Sequence, residues 1–180
     1  MKVLLHTCCA PCLIYPLERL RAQGHKVEGF FYNPNIHPFN EYKNRKQAVI
    51  DYSRIGSVNV IYPEYDPAEF FQAVNLQEAL PGRCRLCWAL RLRKAAQTAK
   101  EGRFDAFSTT LLVSPYQNQE LIKKIGSVIS AEEGVNFYYE DFRPGFRKAH
   151  QQARTQGIYC QNYCGCIYSE IERCRQSAKH

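Results

Sequence analysis

The chain has 180 residues, 45% of them hydrophobic and 23% charged, which suffices for one full core and is short for two. Ten Gly and nine Pro are ordinary for this length and no low-complexity run or repeat period appears, which excludes collagen, solenoids and disordered tails. Twenty-four Lys plus Arg against 17 Asp plus Glu leave a net charge of +7, a mild bias toward a polyanionic partner.

The longest early apolar run, residues 3–5, ends at His6. That is far short of the roughly 7–15 apolar residues of a secretory signal or the roughly 20 of a membrane span, so a cytoplasmic protein with no membrane partner is expected. Cys8 does not read as a lipoprotein cleavage site, because His6-Thr7 stand where small residues belong. Residues 2–7 predict a strand entering a Cys/Pro loop, after which Leu13, Ile14, Leu17 and Leu20 recur at helical spacing until Gly24. Pro16 interrupts that pattern, which predicts a late helix start or a kink.

Residues 27–32 form a second strand closed by Asn33-Pro34-Asn35, followed by a helix carrying Phe39, Tyr42, Val49, Tyr52 and Ile55 and ending before Gly56. A third strand is expected at 58–62. Pro67 opens a helix through Phe70, Phe71 and Val74, a break falls at Pro81-Gly82, and 86–99 continues as a basic amphipathic helix. Residues 104–112 form strand four. After Ser114-Pro115 a helix carries Leu121, Ile122, Ile125 and Ile129, and 136–142 form strand five.

Strands alternating with helices require parallel crossovers, and the expected fold class is α/β: a doubly wound, mainly parallel sheet with helices on both faces. Its site belongs beyond the carboxyl ends of the strands, first of all in the loop after strand one. Residues 158–180, dense in Tyr and Cys, should fold back over that edge. The expected organisation is one domain, 1–180, with an α/β core at 1–157 and a Cys-rich C-terminal tail at 158–180.

Nine cysteines are too few for a disulfide scaffold, and an odd count in a reducing compartment favours metal binding or redox chemistry. Cys8-Cys9-Ala10-Pro11-Cys12 occupies the strand-to-helix loop, where free N–H groups and the helix dipole favour thiolates. The loop has no glycine, so a phosphate cradle is not expected. Three buried small hydrophobes are the plainer alternative, disfavoured because adjacent strand side chains point to opposite faces. Cys84-Arg85-Leu86-Cys87 opens a helix and can chelate a metal or form a redox dithiol.

Roughly 70 residues separate Cys12 from Cys84, against roughly 12–20 between the pairs of a zinc ribbon, so any shared site is assembled by the tertiary fold. Spacing leaves zinc and an iron–sulfur cluster evenly balanced. One Gly between Cys164 and Cys166 permits a small, strained disulfide suited to electron exchange, with a second metal half-site as the alternative. Cys160 and Cys174 have no near partner and are expected to be bystanders.

His6-Thr7-Cys8-Cys9-Ala10-Pro11-Cys12, Phe31-Tyr32-Asn33-Pro34-Asn35-Ile36, Arg83-Cys84-Arg85-Leu86-Cys87, Thr109-Thr110-Leu111 with Ser114-Pro115, Asp141-Phe142 and Tyr163-Cys164-Gly165-Cys166-Ile167-Tyr168-Ser169 follow one another in order. This ordered set, from residue 3 to about 169, resembles the cobalamin-independent epoxyqueuosine reductases, the QueH family. The resemblance implies an adenine-nucleotide alpha-hydrolase-like fold, a [4Fe-4S] cluster, and reduction of epoxyqueuosine to queuosine at the wobble position of tRNA with an unidentified electron donor. It assigns Cys8, Cys9, Cys84 and Cys87 to the cluster and Cys164 and Cys166 to a redox-active pair. Cys12, at a position taking Cys or Asp in the family, becomes the candidate ligand for a second adjacent iron.

Removing an epoxide oxygen takes two electrons and two protons, which a dithiol supplies together; Asp141, at the end of strand five, is the candidate proton donor. Tyr32, Asn33 and Asn35, at a strand end near the site, are the candidate substrate contacts. Arg85, Arg91, Arg93 and Lys94 on one helix, with Arg143, Arg147 and Lys148, are the candidate RNA faces. Two other functions fit parts of the pattern. An iron–sulfur tRNA thiolation enzyme would need a Ser-Gly-Gly-x-Asp-Ser loop after strand one, which is absent. A zinc-stabilised, non-catalytic RNA-binding module would leave Cys164 and Cys166 idle.

Overall fold

The computed structural model describes residues 1–177; the last three residues of the expected tail, 178–180, lie outside the described residues. β1 (Lys2–His6) is the central strand, with Val3, Leu4 and Leu5 wholly buried, as a parallel strand covered on both faces must be. It pairs with β2 (Lys26–Phe30) on one side and β4 (Ala106–Thr109) on the other. β3 (Val60–Ile61) joins β2 and β5 (Asn136–Phe137) joins β4, so the order is β3-β2-β1-β4-β5, all parallel.

The connections are α1 (Ala10–Ala22), α2 (Phe39–Ile55), α3 (Pro67–Val74) with α4 (Gly82–Glu101), and α5 (Gln119–Glu133). The chain winds outward from β1 to β3, then crosses back to β4 and winds outward again. Right-handed crossovers therefore put α1 and α2 on one face and α4 and α5 on the other. The winding reverses between β1 and β4, and the crevice beyond their carboxyl ends is the switch point where a ligand site belongs. α6 (Phe146–Thr155) packs on α1, and α7 (Ile167–Ser177) follows the Cys-rich turn.

Several boundaries differ from expectation. α1 begins at Ala10 and runs through Pro16, because burial of Leu13, Ile14, Leu17 and Leu20 outweighs the one backbone bond that proline removes. β3 and β5 are two residues long, where five and seven were expected; both are edge strands with a partner on one side only. Strand four stops at Thr109, whose hydroxyl accepts from the Leu111 N–H at 3.1 Å and turns 110–113 into a 3-10 helix. α6 buries only Ala149 and Ala153, too small a stripe to register as periodicity.

Candidate active site

His6 ends β1 wholly buried, its Nδ1 2.9 Å from the Thr109 hydroxyl at the matching end of β4. Arg91, from the third turn of α4, donates its Nε to His6 Nε2 (3.3 Å) and its Nη2 to Asn33 Oδ1 (2.7 Å). Burial and the Arg91 cation lower the His6 pKa to about 3, so its ring is neutral and acts as a fixed strut. Arg91 is thereby held with its positive charge under the cysteine loop.

Cys9 caps α1 in an extended conformation, with Cys8 before it and Cys12 one turn into the helix. Their three sulfurs lie within 4.8 Å of one another, Cys8 and Cys9 at 3.7 Å. The Cys8 N–H donates to the Thr110 hydroxyl (3.0 Å), and that hydroxyl donates to Cys8 Sγ (3.2 Å). Hydrogen bonds from the Cys12 and Cys9 thiols, with Arg91 and Thr110, hold Cys8 well below the usual thiol range. Burial pushes Cys9 up, and the bonds Cys12 makes to its two neighbours push it up. Gln161, from the tail, donates its Nε2 to Cys9 Sγ at 2.8 Å.

A cavity of about 660 Å³ opens here, lined by Cys8, Cys12, Cys84, Cys87, Cys164 and Cys166, six of the nine cysteines; Cys9, buried behind Cys8 and Cys12, does not line it. Cys84 and Cys87 sit three apart at the start of α4, on one helix face. Burial raises both, Cys87 to about 11. Cys164 and Cys166 are free thiols with sulfurs 3.7 Å apart. The bond between them pulls Cys164 down to about 5 and pushes Cys166 up. Gly165 has φ +119°, and a Cβ there would meet Ile36 at 3.0 Å and Arg45 at 3.2 Å, so this turn requires glycine. Arg45, itself buried, donates to the carbonyls of Tyr163 (3.0 Å) and Cys164 (3.1 Å) while paired with Glu41 at 2.7 Å.

Of the three expected substrate contacts, Asn35 lines the cavity, with a buried Oδ1 that has no partner. Asn33 is committed to Arg91 and to the Thr7 carbonyl (2.9 Å), and Tyr32 donates its hydroxyl to Glu69. Asp141 does not line the cavity. It makes a forked bond to Arg143 (2.8 and 2.6 Å) that holds the carboxyl below its usual range, so it is an ionised surface group and no proton donor to this cavity. Burial removes Arg91 from the expected RNA face; Arg93 pairs with Glu132 and Glu133, and Lys148 with Glu18, whereas Arg85, Lys94 and Arg147 are exposed.

Cys160 donates to its own loop at Ile158 (3.4 Å), and Cys174 is exposed on α7. The sequence reading missed Arg45 and Gln161. Glu41 four residues before Arg45 is a readable helical ion pair, but nothing local marks the tail carbonyls as its second partner. Gln161 carries no local signal at all.

A family model described as Epoxyqueuosine reductase QueH matches residues 3–172, nearly the full length of this fold and every cysteine of the cavity. The chain belongs to that family. Its sequence is 39% identical to the epoxyqueuosine reductase QueH of Thermotoga maritima over 98% of this chain and 94% of that protein. Against that of Dehalococcoides mccartyi it is 37% identical over 96% and 94%, and against that of Staphylococcus aureus 35% identical over 96% and 77%. A solved structure described as a predicted subunit of tRNA methyltransferase from Methanocaldococcus jannaschii matches with a TM-score of 0.57 at 11% identity, covering 86% of this chain and 74% of that one, a likeness of fold. The expected α/β class, a doubly wound parallel sheet, holds.

The donor chemistry of this QueH-family cavity suits a soft metal group. Among the described residues no carboxylate lines it and its anionic donors are thiolates, which select zinc or iron–sulfur over hard cations. The three sulfurs at the start of α1 leave one tetrahedral position for a further donor, and the cavity far exceeds the volume of a single ion. No helix among the described residues is long and apolar enough to cross a membrane.

Proposed function

We propose that this protein is a cytoplasmic epoxyqueuosine reductase, which removes the epoxide oxygen of epoxyqueuosine at the wobble position of tRNA to leave queuosine. The observation that carries the reading is the convergence of six cysteines from three separate segments on one cavity at the switch point, in a chain of this family. Cys8, Cys9, Cys84 and Cys87 are the thiolates for a [4Fe-4S] cluster, with Cys12 beside Cys8 and Cys9 to hold an adjacent iron. When bound, the cluster supplies single electrons and the adjacent iron a Lewis acid.

The chain's own residues account for the rest. Cys164 as thiolate and Cys166 as thiol close to a disulfide, releasing two electrons and one proton; with a second proton from a water molecule, which is left as hydroxide, the epoxide oxygen leaves as water and its two carbons become an alkene. The sulfurs, 3.7 Å apart, approach to about 2.05 Å in that step. An external electron donor then returns two electrons to the disulfide. Arg45 fixes the turn that presents the pair, and Gly165 allows it. Asn35 Oδ1, His150 Nε2 and Gln161 Oε1, buried without partners on residues lining the cavity, are left for the polar groups of the substrate.

Purification without oxygen, followed by iron and acid-labile sulfide analysis and by mass spectrometry of nucleosides from treated tRNA, tests the reading. Brown protein that converts epoxyqueuosine, and a Cys84→Ser variant that loses colour and turnover together, are expected. Colourless zinc protein without turnover would replace it with the RNA-binding module.

A further inference from the structure

A second groove lies on the same rim of the sheet, two strands from the cysteine cavity. It has a volume of about 600 Å³ and forms where the loop after β3 passes the first turns of α2. Phe39, Tyr42, Lys43 and Lys46 of α2 face Tyr62 and Tyr65 across it, with Glu64 the one acid among the described residues that line it. Tyr42 and Tyr65 stack with ring centres 3.9 Å apart, and Phe39 packs on both at 6.2 and 5.8 Å. Tyr42 is buried and packs on the core residue Phe31, which anchors the ladder, whereas Phe39, its outermost ring, is 61% exposed.

The two lysines at this groove compare with Arg85, Lys94 and Arg147, the exposed cations of the expected RNA faces. Arg93, Arg143 and Lys148 are each bound to an acid. Lys43 is exposed and, among the described residues, has neither an ion pair nor a hydrogen bond; Lys46 has no acid partner and lies 5.6 Å from the Tyr62 ring centre. Single exposed aromatics are ordinary. A core-anchored stack flanked by two uncommitted lysines is what unpaired RNA requires, rings for base faces and ammonium groups for phosphates.

Position connects the groove to the reaction. Neighbouring strands lie about 4.8 Å apart, so β3 stands on the order of 10 Å from β1 along the rim. Arg45, which lines the cysteine cavity, lies between Tyr42 and Lys46 in the sequence of α2, so one helix carries residues of both sites.

We propose that this groove binds an unpaired nucleotide of the same RNA, close in the chain to the reacting one, with its base stacked on Phe39 and its phosphates beside Lys43 and Lys46. The proposal rests on the tRNA-directed reading of the cavity and assigns a second RNA contact outside it.

Fluorescence anisotropy with an unmodified anticodon stem–loop RNA tests it, using the metal-loaded protein, Phe39→Ala, and a Lys43→Glu/Lys46→Glu variant. All the substituted side chains are at least partly exposed, and unchanged iron content and absorption show that each variant is folded. Phe39→Ala should weaken binding on the order of ten- to a hundredfold, as loss of one base–aromatic stack does. The double lysine variant should flatten the salt dependence.

An abasic site at the stacked loop position should weaken wild type equally and cause no further loss in Phe39→Ala. With epoxyqueuosine-containing RNA, the variants should raise KM and keep kcat. Binding within twofold of wild type, or additive losses at every abasic position, would overturn the groove. Failure of wild type to reduce epoxyqueuosine while Phe39→Ala still loses RNA affinity overturns the catalytic reading and upholds the groove.

Discussion

Cys164 and Cys166 are chemically alike in sequence and opposite in character in the fold. The hydrogen bond between them favours the charged form of Cys164, which titrates at about 5, and the neutral form of Cys166. A thiolate reacts and a thiol does not, so Cys164 is competent above about pH 5, whereas an unperturbed cysteine needs about pH 8.5. Iodoacetamide should therefore label Cys164 of the anaerobic protein at nearly constant rate down to about pH 6, falling by half near pH 5. Cys87, buried and proposed as a cluster ligand, should stay unlabelled across that range. Peptide mass spectrometry reads both, and a Cys164 rate that rises only above about pH 8 would remove the thiolate assignment. In the same protein, Cys164→Ala should keep its iron and colour and lose most turnover. Loss of iron would instead make the pair metal ligands.

At the scale of elements, the site depends on contacts that join distant segments. Arg45 of α2 reaches the Tyr163 and Cys164 carbonyls, and Arg83 of α4 holds Glu172 of α7 at 2.6 and 2.7 Å. The Arg45–Glu41 pair has side chains only 1% and 10% exposed. Removing Arg45 leaves Glu41 charged in a dry setting and two tail carbonyls without a donor. Arg45→Ala should cost about 3–5 kcal/mol of stability, measured by urea unfolding, and should release the C-terminal tail to proteolysis before global unfolding. A loss below about 1 kcal/mol would show that the pair is solvated and that other contacts hold the tail.

Over the whole molecule, the count of 24 Lys plus Arg is an upper bound on the cations RNA meets, since several are bound to acids or buried. The cations left for phosphate include Arg85, Lys94, Arg147, Lys43 and Lys46. Neutralising even two phosphates lowers affinity about tenfold between about 50 and 200 mM salt, so tRNA binding should fall at least that much. A salt-independent affinity would make every one of these residues plain solvated surface.

The sequence by itself determined the α/β class, the order of strands and helices through β5 but not α6 or α7, and the six cysteines that meet at the cavity. It did so because helical and strand periodicities are local, and because Cys-x-x-Cys and Cys-Gly-Cys spacings limit where sulfurs go. It also marked the loop after β1 as unlike a phosphate cradle, from its lack of glycine alone. Only the tertiary structure decided which side chains were already committed. Asn33 and Arg91 bind each other, Tyr32 binds Glu69, and Asp141 binds Arg143, pairings across a few residues or across dozens that no spacing rule encodes. Gln161 and Arg45 entered the site through 152 and 119 residues of intervening separation. Such contacts depend on the relative placement of packed elements, which sums many weak burial terms over the whole core and leaves no signature in any short stretch of sequence.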